Sequence, residues 1–246
     1  MNTVRDAQLA VSLKAVRERL TAAAASAGRN PDDVELLAVT KFFPATDVVA
    51  LRRLGCRAFG ESREPEASNK VAEVAAVLPD DPIRWHMIGR IQRNKARSVA
   101  DWAYAAHSVD GAALVERLGR AAVAALAESR RLEPLHVYVQ VSLDGDPDRG
   151  GVDVGHPDLV DDVCALVHST DGLDLAGLMA MPPLDSDTED AFSRLEEELA
   201  RVQANYQHRL GLSAGMSSDL ETAVKHGSTC VRVGTALLGE RPLTSP

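Results

Sequence analysis

Apolar positions change their period repeatedly along this chain, and each change marks an element. Residues 7–27 place Leu9, Leu13, Val16, Leu20 and Ala24 at gaps of three and four and stop at Gly28, which predicts an amphipathic helix. Residues 34–41 then form an apolar run of strand length that ends abruptly in Lys41, and Phe42, Phe43 and Pro44 close the segment. The alternation continues with a helix over 45–54 stopped by Gly55, a short strand over 56–62, a helix over 66–78 and a turn over 79–82. A strand over 83–89, a helix over 91–100 and a strand over 102–109 follow. Asp110 is expected to cap a long helix carrying Leu114, Leu118, Ala121 and Ala125 on one face.

The second half repeats the theme. Residues 136–141 read as a strand by β-propensity, and the loop 142–155, rich in Asp, Gly and Pro, is the longest irregular stretch and a candidate functional loop. A helix over 157–168 and a strand over 173–180 come next. Ser186 with Glu189 has the form of a capping box ahead of a helix bearing Phe192, Leu195, Leu199, Val202 and Tyr206. A strand over 212–215, a helix over 218–225 opened by a second such box (Ser218, Glu221), and a strand over 229–234 complete the series. Eight strands alternating with helices, without a composition break, imply a parallel sheet, and eight units fit a closed (β/α)8 TIM barrel better than an open sheet. One domain spanning 1–246, with an extra N-terminal helix, is the expectation.

Composition narrows the classes. At 246 residues, 45% hydrophobic and 26% charged, the chain is ordinary for a soluble globular domain. A formal charge of −9 argues against binding nucleic acid. The one basic cluster, 90–97, reads as a solvated helix face. Three scattered cysteines without a CxxC suit a reducing compartment, and the seven histidines show no metal spacing. Residues 1–6 lack a signal-peptide core and no stretch has the length of a membrane span, so a cytoplasmic protein is expected.

In a barrel of this kind the site lies at the C-terminal ends of the strands. The polar residues there are Lys41, Glu61, Ser62, His86, Ser108, Asp110, Ser142, Ser217, Ser218, Gly234 and Thr235. A lysine at the mouth of a buried strand has a depressed pKa and can condense with a carbonyl compound. The loop 215–219 after the seventh strand and Arg232, Gly234 and Thr235 at the eighth offer backbone N–H groups, a hydroxyl and a guanidinium, the place where barrels bind phosphate. Ser217 and Ser218 could equally be helix caps, and His86 could line the pocket or pack in the core. A Schiff-base lysine with a phosphate cradle describes a pyridoxal phosphate site, or a class I aldolase acting on a sugar phosphate. No GxGxxG or Walker A sequence is present. The stretch 211–215 matches G-x-S-x-G, but it is itself a strand with a helix before it, so Ser213 reads as a barrel residue.

Read together, Ala38-Val39-Thr40-Lys41, Phe59-Gly60-Glu61, Trp85-His86-Met87-Ile88-Gly89 with Gln92 and Asn94-Lys95, Ser108-Val109-Asp110, the segment 177–182, Met216-Ser217-Ser218-Asp219 and the segment 227–239 resemble, in order and over nearly the whole chain, the pyridoxal phosphate homeostasis proteins of the YggS/PROSC group. The resemblance implies an alanine-racemase-like, fold-type III barrel without the racemase's second domain. It implies pyridoxal 5'-phosphate on Lys41 as an internal aldimine, with the phosphate held by Ser217, Arg232, Gly234 and Thr235, and with Ser62, His86, Met216 and Ser218 as further cofactor contacts. Two departures stand out: Ser62 replaces an asparagine common in the group, and the loop 144–151 has Arg149 where some members carry a lysine. The group is regarded as lacking robust catalysis. A racemase needs a second acid/base on the other cofactor face, and only residues 240–246 follow the last strand to supply one. The expectation is a carrier without robust catalysis that works as a monomer and passes the cofactor to apo-enzymes; a small amino-acid racemase is the alternative.

Overall fold

β1 (Glu35–Val39) is buried over its last three residues, which is why it reads as a continuous apolar run and not as an alternation. Strands of this kind need cover on their outer face and a closed partner ring, and both are present. The computed structural model describes residues 3–79, 81–146, 148–183 and 186–241. β1 pairs in parallel with β2 (Ala58–Glu61), and the ladder continues through β3 (Arg84–Met87), β4 (Ala105–Val109), β5 (Leu135–Ser142), β7 (Leu173–Met179), β8 (Gly211–Ser213) and β9 (Cys230–Val233), which returns to β1. The ring has eight strands, as the alternation predicts. A two-residue strand, β6 (Val152–Asp153), adds to the edge of β5 inside the loop expected to be irregular.

The helices cover the ring. α1 (Thr3–Ser26), α2 (Ala45–Arg53), α8 (Leu220–Lys225) and α9 (Thr235–Leu238) pack with β1, β2 and β9 around Leu9, Leu51, Phe59, Val231 and Leu238. α4 (Ala96–Trp102), α5 (Ala112–Ala127), α6 (Pro157–Ser169) and α7 (Thr188–Gln203) share the larger cluster around Leu118, Val137, Leu178, Phe192 and Leu212. α3 (Glu66–Val77) follows β2. α1 is fastened by side chains as well as by packing: Arg5 pairs with Asp47 and donates to the Leu238 carbonyl, and Arg19 pairs with Glu221 and donates to the Ser217 carbonyl at 3.0 Å.

Several boundaries differ from the sequence expectations for local reasons. Residues 91–100 split into a 3-10 turn (Arg93–Lys95) and α4, which runs on through Trp102, so β4 starts only at Ala105. Asp110 does not cap α5; Gly111 takes the cap position and the Asp110 carboxylate accepts the Gly151 N–H instead. Asp187, one residue past Ser186, caps α7 by accepting from the Glu189 and Asp190 N–H groups. The Ser218 box also fails: α8 begins after Asp219, whose carboxylate turns back to the Met216 N–H. An aspartate beside a serine won or redirected each contest, because its charged oxygen is the stronger acceptor. The expected turn over 79–82 includes Asp80, outside the described residues.

Register decides what fills the barrel. Glu35 and Leu37 on β1 align with Cys230 and Arg232 on β9, Gly60 aligns with His86, and His86 with Ala105. Residues two apart share a face, so the inward set includes Glu35, Leu37, Ala58, Gly60, Arg84, His86, His107, Tyr138, Ser213, Cys230 and Arg232. Only Leu37, Ala58 and Cys230, with Ile88 against them, form an apolar cluster there. Most barrels fill this space with branched aliphatic side chains. Here it is largely polar and buried.

Candidate active-site pole of the barrel

β1 ends at Val39, so Lys41 stands in the turn beyond the strand. The turn is rigid. Thr40 is fully buried, its N–H donates to the Gly60 carbonyl, and its hydroxyl donates to Glu61 Oε1 at 2.7 Å. Phe42 adopts φ 71°, an unusual conformation for a residue with a bulky side chain, and it re-aims the chain directly after the lysine. Lys70 on α3 donates to both Glu61 Oε1 (2.8 Å) and the Thr40 carbonyl (2.9 Å). This buried pair satisfies the carboxylate beside Lys41 and leaves the Lys41 amine to itself. Among the described residues the amine has no hydrogen bond or ion pair; its nearest partner is the Phe42 ring, 5.9 Å from Nζ to the centroid.

Burial is the largest cause that pushes the Lys41 amine below its ordinary range, followed by the positive charges of Arg232 and Arg63; Glu61 acts in the opposite direction and Arg241 adds to the lowering. Arg63 and Arg241 lie over the Phe42 ring at 5.3 and 3.8 Å from its centroid. A cavity of about 420 Å³ adjoins the amine, lined by Lys41, Phe42, Glu61, Ser62, Arg63 and Lys70 among others. Lowering the pKa of an amine beside a cavity favours its action as a nucleophile toward carbonyl carbon.

The two loops expected to hold an anion meet each other beside the end of β1, outside the lining of this cavity. The Ala236 N–H donates to Ser217 Oγ at 3.2 Å, which joins the segment after β8 to the segment after β9. Gly234 packs against Val39: a methyl group at Gly234 would lie 3.5 Å from Val39 Cβ, two residues before Lys41. The backbone N–H groups of Ser217, Ser218, Gly234 and Thr235 have no acceptor among the described residues. Arg232 is buried and meets only neutral acceptors, the Ser213 carbonyl (2.6 Å), Ser213 Oγ (2.7 Å) and the Ala180 carbonyl (2.9 Å). No carboxylate touches it among the described residues.

Other expected residues sit differently. Met216 has its N–H engaged by Asp219. Ser62 lines the Lys41 cavity and its backbone is pressed by Gly89, where an added methyl would come within 2.1 Å of the Ser62 carbonyl oxygen. Arg149 is fully committed, bonding Asp144 and the carbonyls of Met181 and Pro182. His86 does not reach this pole. It lies lower on β3 and lines a cavity of about 550 Å³ at the N-terminal ends of the strands, with Glu35, Arg84, Tyr104, His136 and Asp174. The sequence reading missed Lys70, Arg63 and Arg241. Lys70 had a readable signal, since it is the one basic residue in an otherwise apolar and acidic helix directly after the lysine-bearing unit.

Comparisons with known proteins agree with this architecture. The alanine racemase N-terminal domain matches residues 11–242. A pyridoxal phosphate homeostasis protein of Mycobacterium tuberculosis is 61% identical over 248 residues, covering 98% of this chain and 96% of the relative. Among solved structures, PipY of Synechococcus elongatus with PLP bound superposes with a TM-score of 0.77 at 34% identity, covering 94% of this chain and 100% of that one. An alanine racemase of Corynebacterium glutamicum shares the fold, with a TM-score of 0.65 at 16% identity, and this chain covers 60% of its length.

Proposed function

Since this chain belongs to the pyridoxal phosphate homeostasis family, we propose that it holds pyridoxal 5'-phosphate covalently through Lys41 and serves as a cytoplasmic carrier that gives the cofactor up to apo-enzymes. When bound, the cofactor supplies an aldehyde that condenses with an amine, together with a phosphate dianion. The residues fit such a molecule. The observation that carries the reading is a lysine amine with a lowered pKa and no hydrogen bond or ion pair among the described residues, together with a buried Arg232 that meets only neutral acceptors there. Ser217, Gly234 and Thr235 hold the phosphate through free N–H groups and hydroxyls; Arg232 supplies charge; Ser62, Met216 and Ser218 complete the rim. His86 is not among these contacts, because it lines the cavity at the opposite end of the barrel.

The carrier role is supported by the state of Glu61, although Glu66 and Glu73 also line the cavity beside the amine. Racemisation and related chemistry need an acid/base besides the lysine. The buried acid at this mouth, Glu61, is committed to Lys70 and Thr40. Relatives covering nearly all of this chain are named as homeostasis proteins. We take the working unit to be one barrel, a monomer, to be checked by light scattering. No helix among the described residues is long and apolar enough to cross a membrane.

The direct test is the visible absorbance of freshly purified protein before and after borohydride, with peptide mapping. The expected result is a yellow protein whose reduced pyridoxyl group maps to Lys41. Lys41→Ala abolishes the covalent adduct and retains much of the phosphate-directed affinity; complete loss of binding contradicts this division of roles. A panel of amino acids with the loaded protein should show negligible turnover, and robust racemisation would make it an enzyme instead.

A further inference from the structure

His86, which stands apart from the Lys41 pole, leads back to it through hydrogen bonds. Ser213 is fully buried and its Oγ receives Arg232 at 2.7 Å. A guanidinium can only donate, so the serine oxygen accepts there; its own proton can go to His107 Nδ1, 2.8 Å away, or to its other neighbour, Cys230, and the first choice is the one that matches the far end of the chain. His107 then presents a lone pair at Nδ1 and carries its proton on Nε2, which faces His86 Nδ1 at 2.8 Å. His86 in turn carries its proton on Nε2. That atom is buried, lacks a hydrogen-bond partner among the described residues, and points toward Glu35 Oε2 at 3.7 Å.

The far end imposes this direction. Burial raises the Glu35 pKa, and the ion pair with Arg84 opposes that; the carboxylate so paired calls for an N–H and not a lone pair on the facing ring nitrogen. Reversing the chain would set a lone pair of His86 against that carboxylate. Tyr104 and Tyr138 pack on the two rings, with centroids 5.6 Å from His86 and 4.4 Å from His107, and fix their planes.

We propose that His107 is a positioning residue for Arg232, and that His86 fixes the tautomer that lets it serve. The guanidinium at the cofactor pole is thus oriented by neutral groups reaching it from the opposite end of the barrel. A carboxylate would grip Arg232 more strongly but would cancel its charge. A serine oxygen locked by a neutral imidazole fixes the direction and leaves the charge in place for an anionic ligand. Burial keeps both rings neutral, pushing His86 down to about 3 and His107 well below the ordinary histidine range.

The chain of tautomers is a property of the unloaded protein, while its consequence for the cofactor rests on the function proposed above, so two measurements separate them. Nitrogen-15 NMR of the imidazoles in unloaded protein at neutral pH, assigned with His86→Gln and His107→Asn, should show both rings neutral with the proton on Nε2. A proton on Nδ1 of either ring, or a charged ring, overturns the proposal. In protein loaded with pyridoxal phosphate, His107→Leu and Ser213→Ala should shift the absorption maximum of the bound cofactor and speed its release about tenfold. His107→Asn, whose amide oxygen takes the place of Nδ1, should recover most of both. Variants that melt earlier yet keep the parental spectrum and release rate would show a purely structural role and overturn it. If His107→Leu fails to fold, Ser213→Ala and His107→Asn carry the comparison. Failure of the unaltered chain to take up cofactor would sink the cofactor reading, and the NMR result would still decide the chain.

Discussion

At the N-terminal ends of the strands, carboxylates are engaged: Glu35 pairs with Arg84, and Asp174 meets His136 Nδ1 at 2.8 Å. At the C-terminal ends, Arg232 meets only carbonyls and a hydroxyl, and the Lys41 amine has no hydrogen bond or ion pair among the described residues. Neutralised charge contributes little field beyond its partner, whereas charge held by neutral dipoles acts on whatever enters. The difference tells the two cavities apart. The larger of the two described above, about 550 Å³, is at the neutralised end, and the one beside the reactive amine is about 420 Å³.

The contrast can be broken most forcefully at its one exception. Glu61 and Lys70 form a closed pair at the Lys41 end of the barrel, with side-chain exposures of 3% and 12%. Glu61→Ala strands the Lys70 ammonium in a nearly dry setting, and the expected loss of stability is about 3 kcal/mol. Glu35→Gln at the other pole leaves Arg84, 45% exposed, free to be hydrated, and should cost less than about 1 kcal/mol. Chemical denaturation of both variants checks the ordering; equal losses would mean that the poles are not electrostatically distinct.

A second test uses acid. Burial holds His86 neutral down to about pH 3, while the same ring in the unfolded chain takes a proton near 6.5. Between those values the unfolded state binds more protons, so stability falls as the pH drops from about 6.5 toward 3. Each such ring contributes a slope of about 1.4 kcal/mol per pH unit. His107, also lowered by burial, acts in the same direction. His86→Gln should therefore reduce the acid slope by roughly one proton, read from denaturant titrations at pH 7 and pH 5. An unchanged slope would mean that the ring is already protonated in the folded barrel.

The barrel was legible because its strands, buried on the outside, read as apolar runs separated by helical periods, and that pattern needs no knowledge of contacts. Lys41, Gly234 and the 215–219 loop were legible for the same reason: each marks the point where a run stops. What could not be read was direction. His86 sits in the third apolar run just as Lys41 ends the first, yet it faces the interior one level down, because β3 stops only at Met87 and Gly89 packs on Ser62 above it. Helix caps failed in the same way. Ser–x–x–Glu spacing at 186 and 218 matched the rule, but the adjacent Asp187 and Asp219 supplied stronger acceptors, and the backbone geometry that selects among neighbours is not written in spacing.

The smallest effect sharpens the comparison by inverting its sign at the surface. His226 lies against Glu189 and Glu196, with ring nitrogens 3.0 and 2.8 Å from their carboxylates. Burial lowers its pKa, but the two carboxylates together outweigh that and raise it above the ordinary value. A histidine whose folded pKa is raised adds stability that is fully present below about 6.5 and is lost as the pH rises through the folded value. His226→Gln should therefore destabilise the protein at pH 6 by less than about 1 kcal/mol and leave it unchanged at pH 9. The buried pair and the surface ring thus pull the pH profile in opposite directions. The interior effect dominates because desolvation of a fully enclosed ring exceeds what a hydrated ion pair returns. If His226→Gln were as costly at pH 9 as at pH 6, its contacts would be acting as packing, not charge.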